Sequence, residues 1–163
     1  MPRILKTRRL KVTKNKTRSS KKGGAISVLD NKSIRKAVEN YLKGGSAKEN
    51  VIDVYGKIED WNTSKVTNMK RLFDEAYNFN KDISNWDVSN VTDMTGMFYL
   101  CGTFNQPIGK WGKKTSNVKN MNGMFAGAYA FNQDISNWDV SNVTDMSHMF
   151  TAATKFNQSI GDW

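Results

Sequence analysis

Five tryptophans fall in register along this 163-residue chain, Trp61, Trp86, Trp111, Trp138 and Trp163, at spacings of 25, 25, 27 and 25. A fixed period of this length is the mark of a repeat architecture, in which one unit cannot bury its apolar face alone and neighbours must stack to make a core. The eight phenylalanines keep the same register as the pairs Phe73/Phe79, Phe98/Phe104, Phe125/Phe131 and Phe150/Phe156, and every methionine except Met1 joins them. The string DISNWDVSNVTDM occupies residues 82–94 and returns at 134–146, which is duplication rather than biased composition.

Each unit runs Val-x-x-Met-x-x-(Met/Leu)-Phe-x-x-(Ala/Cys), for example Met69, Leu72, Phe73 and Ala76 in the first and Met146, Met149, Phe150 and Ala153 in the fourth. Offsets of 0, 3, 4 and 7 place such residues on one face of a helix, so the spacing predicts a short helix per unit. The return leg, Ile83/Trp86, Ile108/Trp111, Ile135/Trp138 and Ile160/Trp163, is rich in turn formers and reads as extended. Residues 66–69, 91–94, 118–121 and 143–146 read as short parallel strands. The fold expected is an α/β repeat solenoid of leucine-rich-repeat type, with four coils of roughly 25 residues over 56–163, each with a short strand and a short helix. The two extra residues of the third unit, within Gly112, Lys113, Lys114 and Thr115, belong in a surface loop.

Ahead of the repeats, Asp30 precedes Ile34, Ala37, Val38, Tyr41 and Leu42, which share a face and stop at Gly44-Gly45. This pattern predicts a helix with an Asp N-cap and a glycine end, in a cap and linker over 25–55 that seals the first coil. Residues 1–24 form a basic tail, disordered or extended. Its ten cations, Arg3, Lys6, Arg8, Arg9, Lys11, Lys14, Lys16, Arg18, Lys21 and Lys22, meet no acidic residue before Asp30, and the remaining 15 basic and 15 acidic residues balance. The net charge of +10 therefore resides in the tail. An arm of this kind binds an anionic partner, nucleic acid or an acidic surface, and without aromatic residues it contacts phosphates and does not read sequence.

The string Tyr55-Gly56-x-Ile58-x-x-Trp61-x-x-Ser64-Lys65-Val66-Thr67-x-Met69, with the later WDVSNVTDMxxMF units, resembles the BspA-like leucine-rich-repeat superfamily in its mycoplasma-type surface-protein branch. The resemblance covers about residues 30–163. It implies surface or adhesion proteins of bacteria, with similar repeats in unicellular algae and large DNA viruses, and it brings no catalytic residues. Bacterial relatives usually carry an export or lipoprotein signal. Here the longest apolar run of the tail is Ile4-Leu5, so the secretory-signal pattern is missing and an intracellular or virion setting is expected.

Few side chains suggest chemistry. His148 is the only histidine, and Arg71, Gly96 and Gly123 hold its position in the other units, which marks a solvent-facing point of the expected helix. Cys101 replaces Ala76, Ala128 and Ala153 and reads as a small buried hydrophobe; as the one cysteine it excludes an internal disulfide. Asp93 and Asp145 alternate with Asn68 and Asn120, a column of turn caps that could also offer oxygens to calcium. Asn80, Asn105, Asn132 and Asn157 form an unbroken column, expected as an internal ladder of side-chain amides satisfying turn backbone. No catalytic residues, metal ligands, cofactor or membrane span are expected, and the chain is read as no enzyme. The last coil leaves Met149, Phe150, Phe156, Ile160 and Trp163 unstacked on one side, a protein-docking or self-association surface. The function that follows is a structural or interaction module whose repeats contact protein while its tail holds nucleic acid or another anion; a minor component of a large DNA virus particle is one version. The rival is a cell-surface adhesion domain.

Overall fold

The structure, a computed structural model, describes residues 27–163. The basic tail and its ten cations lie outside the described residues.

Helix α1 spans Asn31–Lys43 and starts where the sequence places its cap: the Asp30 carboxylate accepts the N–H of Lys32 and Ser33, and the Ser33 hydroxyl accepts the N–H of Asp30. This reciprocal pairing satisfies donors that a helix N-terminus otherwise leaves open. The Ser33 hydrogen bonds also hold the Asp30 carboxyl below its ordinary range. Gly44, at φ 73°, ends α1, and a second helix, α2 (Gly45–Tyr55), follows at once. Ile34, Ala37, Val38 and Tyr41 of α1 and Val51 of α2 are buried against the first repeat.

The expected α/β solenoid, with a strand and a helix in every coil, is not what the repeats form. Among the described residues the strand positions reduce to single parallel bridges, Asn68 to Asp93, Asp93 to Asn120 and Asn120 to Asp145. The cause is turn chemistry on both sides. The N–H of Val66 closes a turn onto Thr63 O at 2.8 Å, that of Leu72 closes another onto Met69 O at 3.1 Å, and Asp93 Oδ1 caps the N–H of Thr95. Too few residues remain extended between these turns to make a strand.

The helix positions are likewise successive turns. The N–H groups of Leu72, Asp74 and Ala76 bond to the carbonyls three residues back, while those of Met69, Arg71, Phe73 and Glu75 leave the unit for Asp93, Thr95, Met97 and Tyr99 O of the next one, at 2.8 to 3.0 Å. An α-helix would send all of them to the fourth residue back within the unit. Two left-handed residues per unit enforce the difference: Arg71, Gly96, Gly123 and His148 have φ of 52 to 60°, and Glu75, Leu100, Gly127 and Ala152 have φ of 56 to 72°. The variable identity at the His148 position thus reflects a backbone conformation that glycine adopts most cheaply, not a helix face turned to solvent.

The turns still direct the apolar residues inward, so the columns read from the sequence make the core. Phe73, Phe98, Phe125 and Phe150 stack with ring centroids 5.7, 5.5 and 5.7 Å apart, and Phe79, Phe104, Phe131 and Phe156 at 5.9, 6.1 and 5.9 Å. Met69, Met94 and Met121 are fully buried, as are Ile83, Ile108 and Ile135. The three inner indoles also donate to a carbonyl of the unit before: Trp86 Nε1 to Ile58 O, Trp111 Nε1 to Ile83 O and Trp138 Nε1 to Ile108 O, at 2.8, 3.3 and 3.1 Å. The third unit absorbs its two extra residues in a 3-10 segment, Ile108–Thr115, kinked at Gly112. Lys113 and Lys114 are exposed there, whereas Thr115 is fully buried and donates its hydroxyl to Asp139 O.

Candidate functional site: the open end of the repeat stack

The backbone pairing between units fixes what each end of the stack exposes. At every junction four N–H groups on alternate residues of one unit meet four carbonyls of the next. Between the third and fourth units Met121, Gly123, Phe125 and Gly127 donate to Asp145, Ser147, Met149 and Thr151 O, at 2.8 to 2.9 Å. The same four positions of the fourth unit are Met146, His148, Phe150 and Ala152, and their N–H groups have no partner among the described residues. Beside this row Thr144 donates its N–H to Lys119 O, so its own carbonyl takes the place at the end of that column.

The side chains there repeat the interior columns with one neighbour missing. Met146, Phe150, Phe156, Ile160 and Trp163 are only partly buried, although Phe98, Phe104, Phe125 and Phe131 have no accessible surface. Of the residues expected to dock a partner, Phe150, Phe156, Ile160 and Trp163 belong to this surface. Met149 does not, because it is 4% exposed and lies beneath them in the core. Trp163 stacks on Trp138 at 6.4 Å, yet its indole N–H, shielded from solvent, finds no acceptor.

The opposite end is covered. Asn31 of α1 accepts the N–H of Thr67 and Asn68 with one Oδ1 and donates Nδ2 to the Thr67 hydroxyl. Arg35 donates to Lys70 O at 2.7 Å and to Asn68 Oδ1 at 2.6 Å. These two polar residues supply groups that a preceding repeat would have supplied. The sequence reading assigned the cap to the apolar stripe of α1 and missed them, as it missed α2.

Along the sides, the Asn column forms the ladder expected of it. Asn80, Asn105 and Asn132 Oδ1 accept the N–H of Asn105, Asn132 and Asn157 at 2.9 to 3.0 Å, and Gln106, Gln133 and Gln158 donate to the same oxygens. It runs near the surface and not inside, with Asn80 and Asn157 exposed. A second ladder runs from Asn90, Asn117 and Asn142 Nδ2 to Ser64, Ser89 and Ser116 O; its signal in the sequence is the Ser-Asn pair that recurs at 89–90, 116–117 and 141–142.

The Asp side chains serve as turn caps. Asp145 accepts the N–H of Ser147, Asp134 that of Ser136 and Asp139 that of Ser141, and these bonds hold the three carboxyls below their ordinary range; in Asp139 the Ser141 hydroxyl contributes most. Among the described residues no three His, Cys, Asp or Glu side chains gather in a metal-binding group. Cys101 is buried with its thiol donating to Phe73 O, and desolvation pushes the thiol up to about 12, which leaves no thiolate for nucleophilic chemistry. His148 is exposed at the open end. No helix among the described residues is long and apolar enough to cross a membrane.

Residues 112–163, the last part of the repeats, match the family described as DUF285, Mycoplasma protein of unknown function. No curated protein and no solved structure matches the chain.

Proposed function

We propose that this chain is a non-enzymatic interaction module, whose repeat stack contacts protein at its open end while the basic residues 3–22 hold nucleic acid or another anionic surface. The observation that supports the docking half is the row of N–H groups at Met146, His148, Phe150 and Ala152 without a partner among the described residues, set among partly buried aromatic rings. Interior members of the same columns are paired and buried, so the last unit has the composition of a core layer with one face uncovered. Such surfaces in proteins serve as contact sites.

The tail half rests on charge alone: ten cations without an intervening acid. Within this reading the setting is intracellular or a large DNA virus particle, and the repeats belong with the BspA-like branch, to which the recurring WDVSNVTDM units point. The test is binding of the full chain to duplex and single-stranded oligonucleotides of unrelated sequence over a range of salt. The logarithm of the binding constant is expected to fall linearly with the logarithm of salt, by about 0.9 per phosphate neutralised on duplex DNA. Removal of residues 1–22 is expected to abolish the salt-dependent binding; equal affinity with and without them would refute the anchoring role.

A further inference from the structure

The Asn ladder on the side of the stack leaves half of its hydrogen-bonding capacity facing solvent. Asn80, Asn105 and Asn132 each spend Oδ1 on two donors, a backbone N–H and the Nε2 of the Gln one unit on. That fixes Oδ1 as the acceptor, and the Nδ2 of the same amide has no partner among the described residues. Gln106 and Gln133 likewise use Nε2 and leave Oε1 without one. None of these atoms is a buried group lacking a partner, so they open on solvent. Donor and acceptor thus recur once per unit, in step with the adjoining Phe column at 5.9 to 6.1 Å.

Beside the ladder two tyrosines share a column. The N–H of Thr103 bonds to Tyr77 O and that of Ala130 to Gly102 O, which sets Tyr77, Gly102 and Tyr129 in line through successive units. Both rings are about half exposed, at 54% and 49%. Glycine keeps the space between them free of a side chain, and a Cβ there would touch the Tyr129 ring at 3.4 Å. Tyr77 and Asn80 line one groove of about 460 Å³ together with Leu42 of α1, so ring and amide face the same space.

Charge restricts the occupant. Residues 94–109 and 120–133, which carry the inner part of this face, contain no acidic or basic side chain. A nucleic acid or other polyanion needs cations along its path, and none stands there. A stable protein contact needs a continuous patch of about 800 Å² per partner, whereas here single rings alternate with amides. The match is a neutral chain whose units each offer a flat C–H face and a rim of hydroxyls. Its hydroxyls accept from Asn Nδ2 and donate to Gln Oε1, and its flat faces rest on the tyrosine rings. The amides are already held by the ladder, so little side-chain freedom is lost on binding.

We propose that this side face binds a neutral oligosaccharide, with Tyr77 and Tyr129 against its rings and the amides of Asn105, Asn132, Gln106 and Gln133 on its hydroxyls. The site is separate from the open end and from residues 3–22, and its failure would leave the proposed function standing.

The experiment titrates the isotope-labelled full chain, followed by NMR, with four neutral hexasaccharides built from glucose, mannose, galactose and N-acetylglucosamine. At least one is expected to move the Asn105 and Asn132 side-chain amide signals and the Tyr77 and Tyr129 ring signals together, saturably, and equally at low and high salt. Tyr77→Ala with Tyr129→Ala should weaken that binding by about tenfold, and the melting temperature should hold because both rings are exposed. Silence of these signals toward all four sugars would overturn the proposal. Binding that survives the double substitution would place the sugar elsewhere and overturn the site. Shifts produced only by a sulfated hexasaccharide, and erased by salt, would assign an anionic ligand and overturn it too. Signals that move with protein concentration in the absence of sugar would identify a second copy as the occupant, with the same consequence.

Discussion

The two ends of the repeat stack pose one physical problem and meet it in opposite ways. Every junction leaves a row of backbone groups and a layer of aromatic and aliphatic side chains in need of a neighbour. At the N-terminal end α1 supplies both, with Ile34, Ala37 and Val38 against the apolar layer and Asn31 and Arg35 on the backbone of residues 67–70. At the C-terminal end neither is supplied among the described residues, and Met146, Phe150, Phe156, Ile160 and Trp163 are only partly buried. Covering a stack is thus as much a matter of hydrogen-bond register as of apolar area, because a buried backbone group without a partner costs about 1 to 3 kcal/mol.

The largest effect expected on this comparison comes from truncating the aromatic columns at different depths. Phe98→Ala and Phe125→Ala remove fully buried rings stacked on both sides and should cost about 3 to 5 kcal/mol in urea denaturation. Phe156→Ala removes a partly buried ring with one stacked neighbour in the preceding unit and should cost about 1 to 2 kcal/mol. Equal losses would erase the distinction between interior and end.

Next in size is the covered end itself. Asn31→Ala with Arg35→Ala strips the polar part of the cap and leaves its apolar stripe in place. We expect a loss of about 2 to 3 kcal/mol and faster exchange of the Thr67 and Asn68 amides. If stability is unchanged, the apolar contacts of α1 suffice and the hydrogen-bond account of capping is wrong.

The left-handed positions sharpen the comparison further. A Cβ on Gly123 meets nothing closer than 4.0 Å, so Gly123→Ala reports the conformational cost of φ 58° alone, about 1 to 2 kcal/mol. His148→Gly at the open end, φ 60°, should be neutral or stabilise by up to about 1 kcal/mol. Destabilisation by His148→Gly in thermal melts would show that the histidine side chain contributes contacts at that end.

The smallest effect is the pH response of α1. Hydrogen bonds first from Lys43 and then from Lys36 hold the Glu39 carboxyl at about 2, against an ordinary value of 4.5. A depressed carboxyl stabilises the fold above its ordinary range and loses that contribution as pH falls toward the folded value. Glu39 is exposed, so solvent and salt screen the gain. Melts of the wild-type chain and Glu39→Gln should differ slightly at about pH 5 and converge on acidification toward about pH 2; a difference that grows on acidification would reverse the assigned sign.

The comparison also shows what could be read from the sequence. The Trp, Phe and Met columns were legible because burial fixes them whatever backbone carries them. The backbone was not, because a chain of four-residue turns places Met69, Leu72, Phe73 and Ala76 inward much as a helix does. The signal that separates the two was present in Gly96 and Gly123, but Arg71 and His148 in the same column concealed the shared positive φ. The α1 boundaries followed from Asp30 and Gly44, whose chemistry is local. The roles of Asn31 and Arg35 depend on residues 33 to 37 positions away, and local spacing cannot reveal such contacts. For the open end, the apolar half of the site was legible and the donor row was not, since it exists only once the junctions have set the register.

The central claim is that alternate amides of each unit pair with the next unit and that those of the fourth unit have no partner among the described residues. Scalar couplings across hydrogen bonds, measured by NMR on the labelled full chain, test it directly. The pairing predicts couplings from the amide of Phe73 to the carbonyl of Met97, of Phe98 to Met124 and of Phe125 to Met149, and none from Phe150. Couplings from Phe73 to Met69 and from Phe98 to Met94, the pattern of an α-helix within each unit, would contradict it.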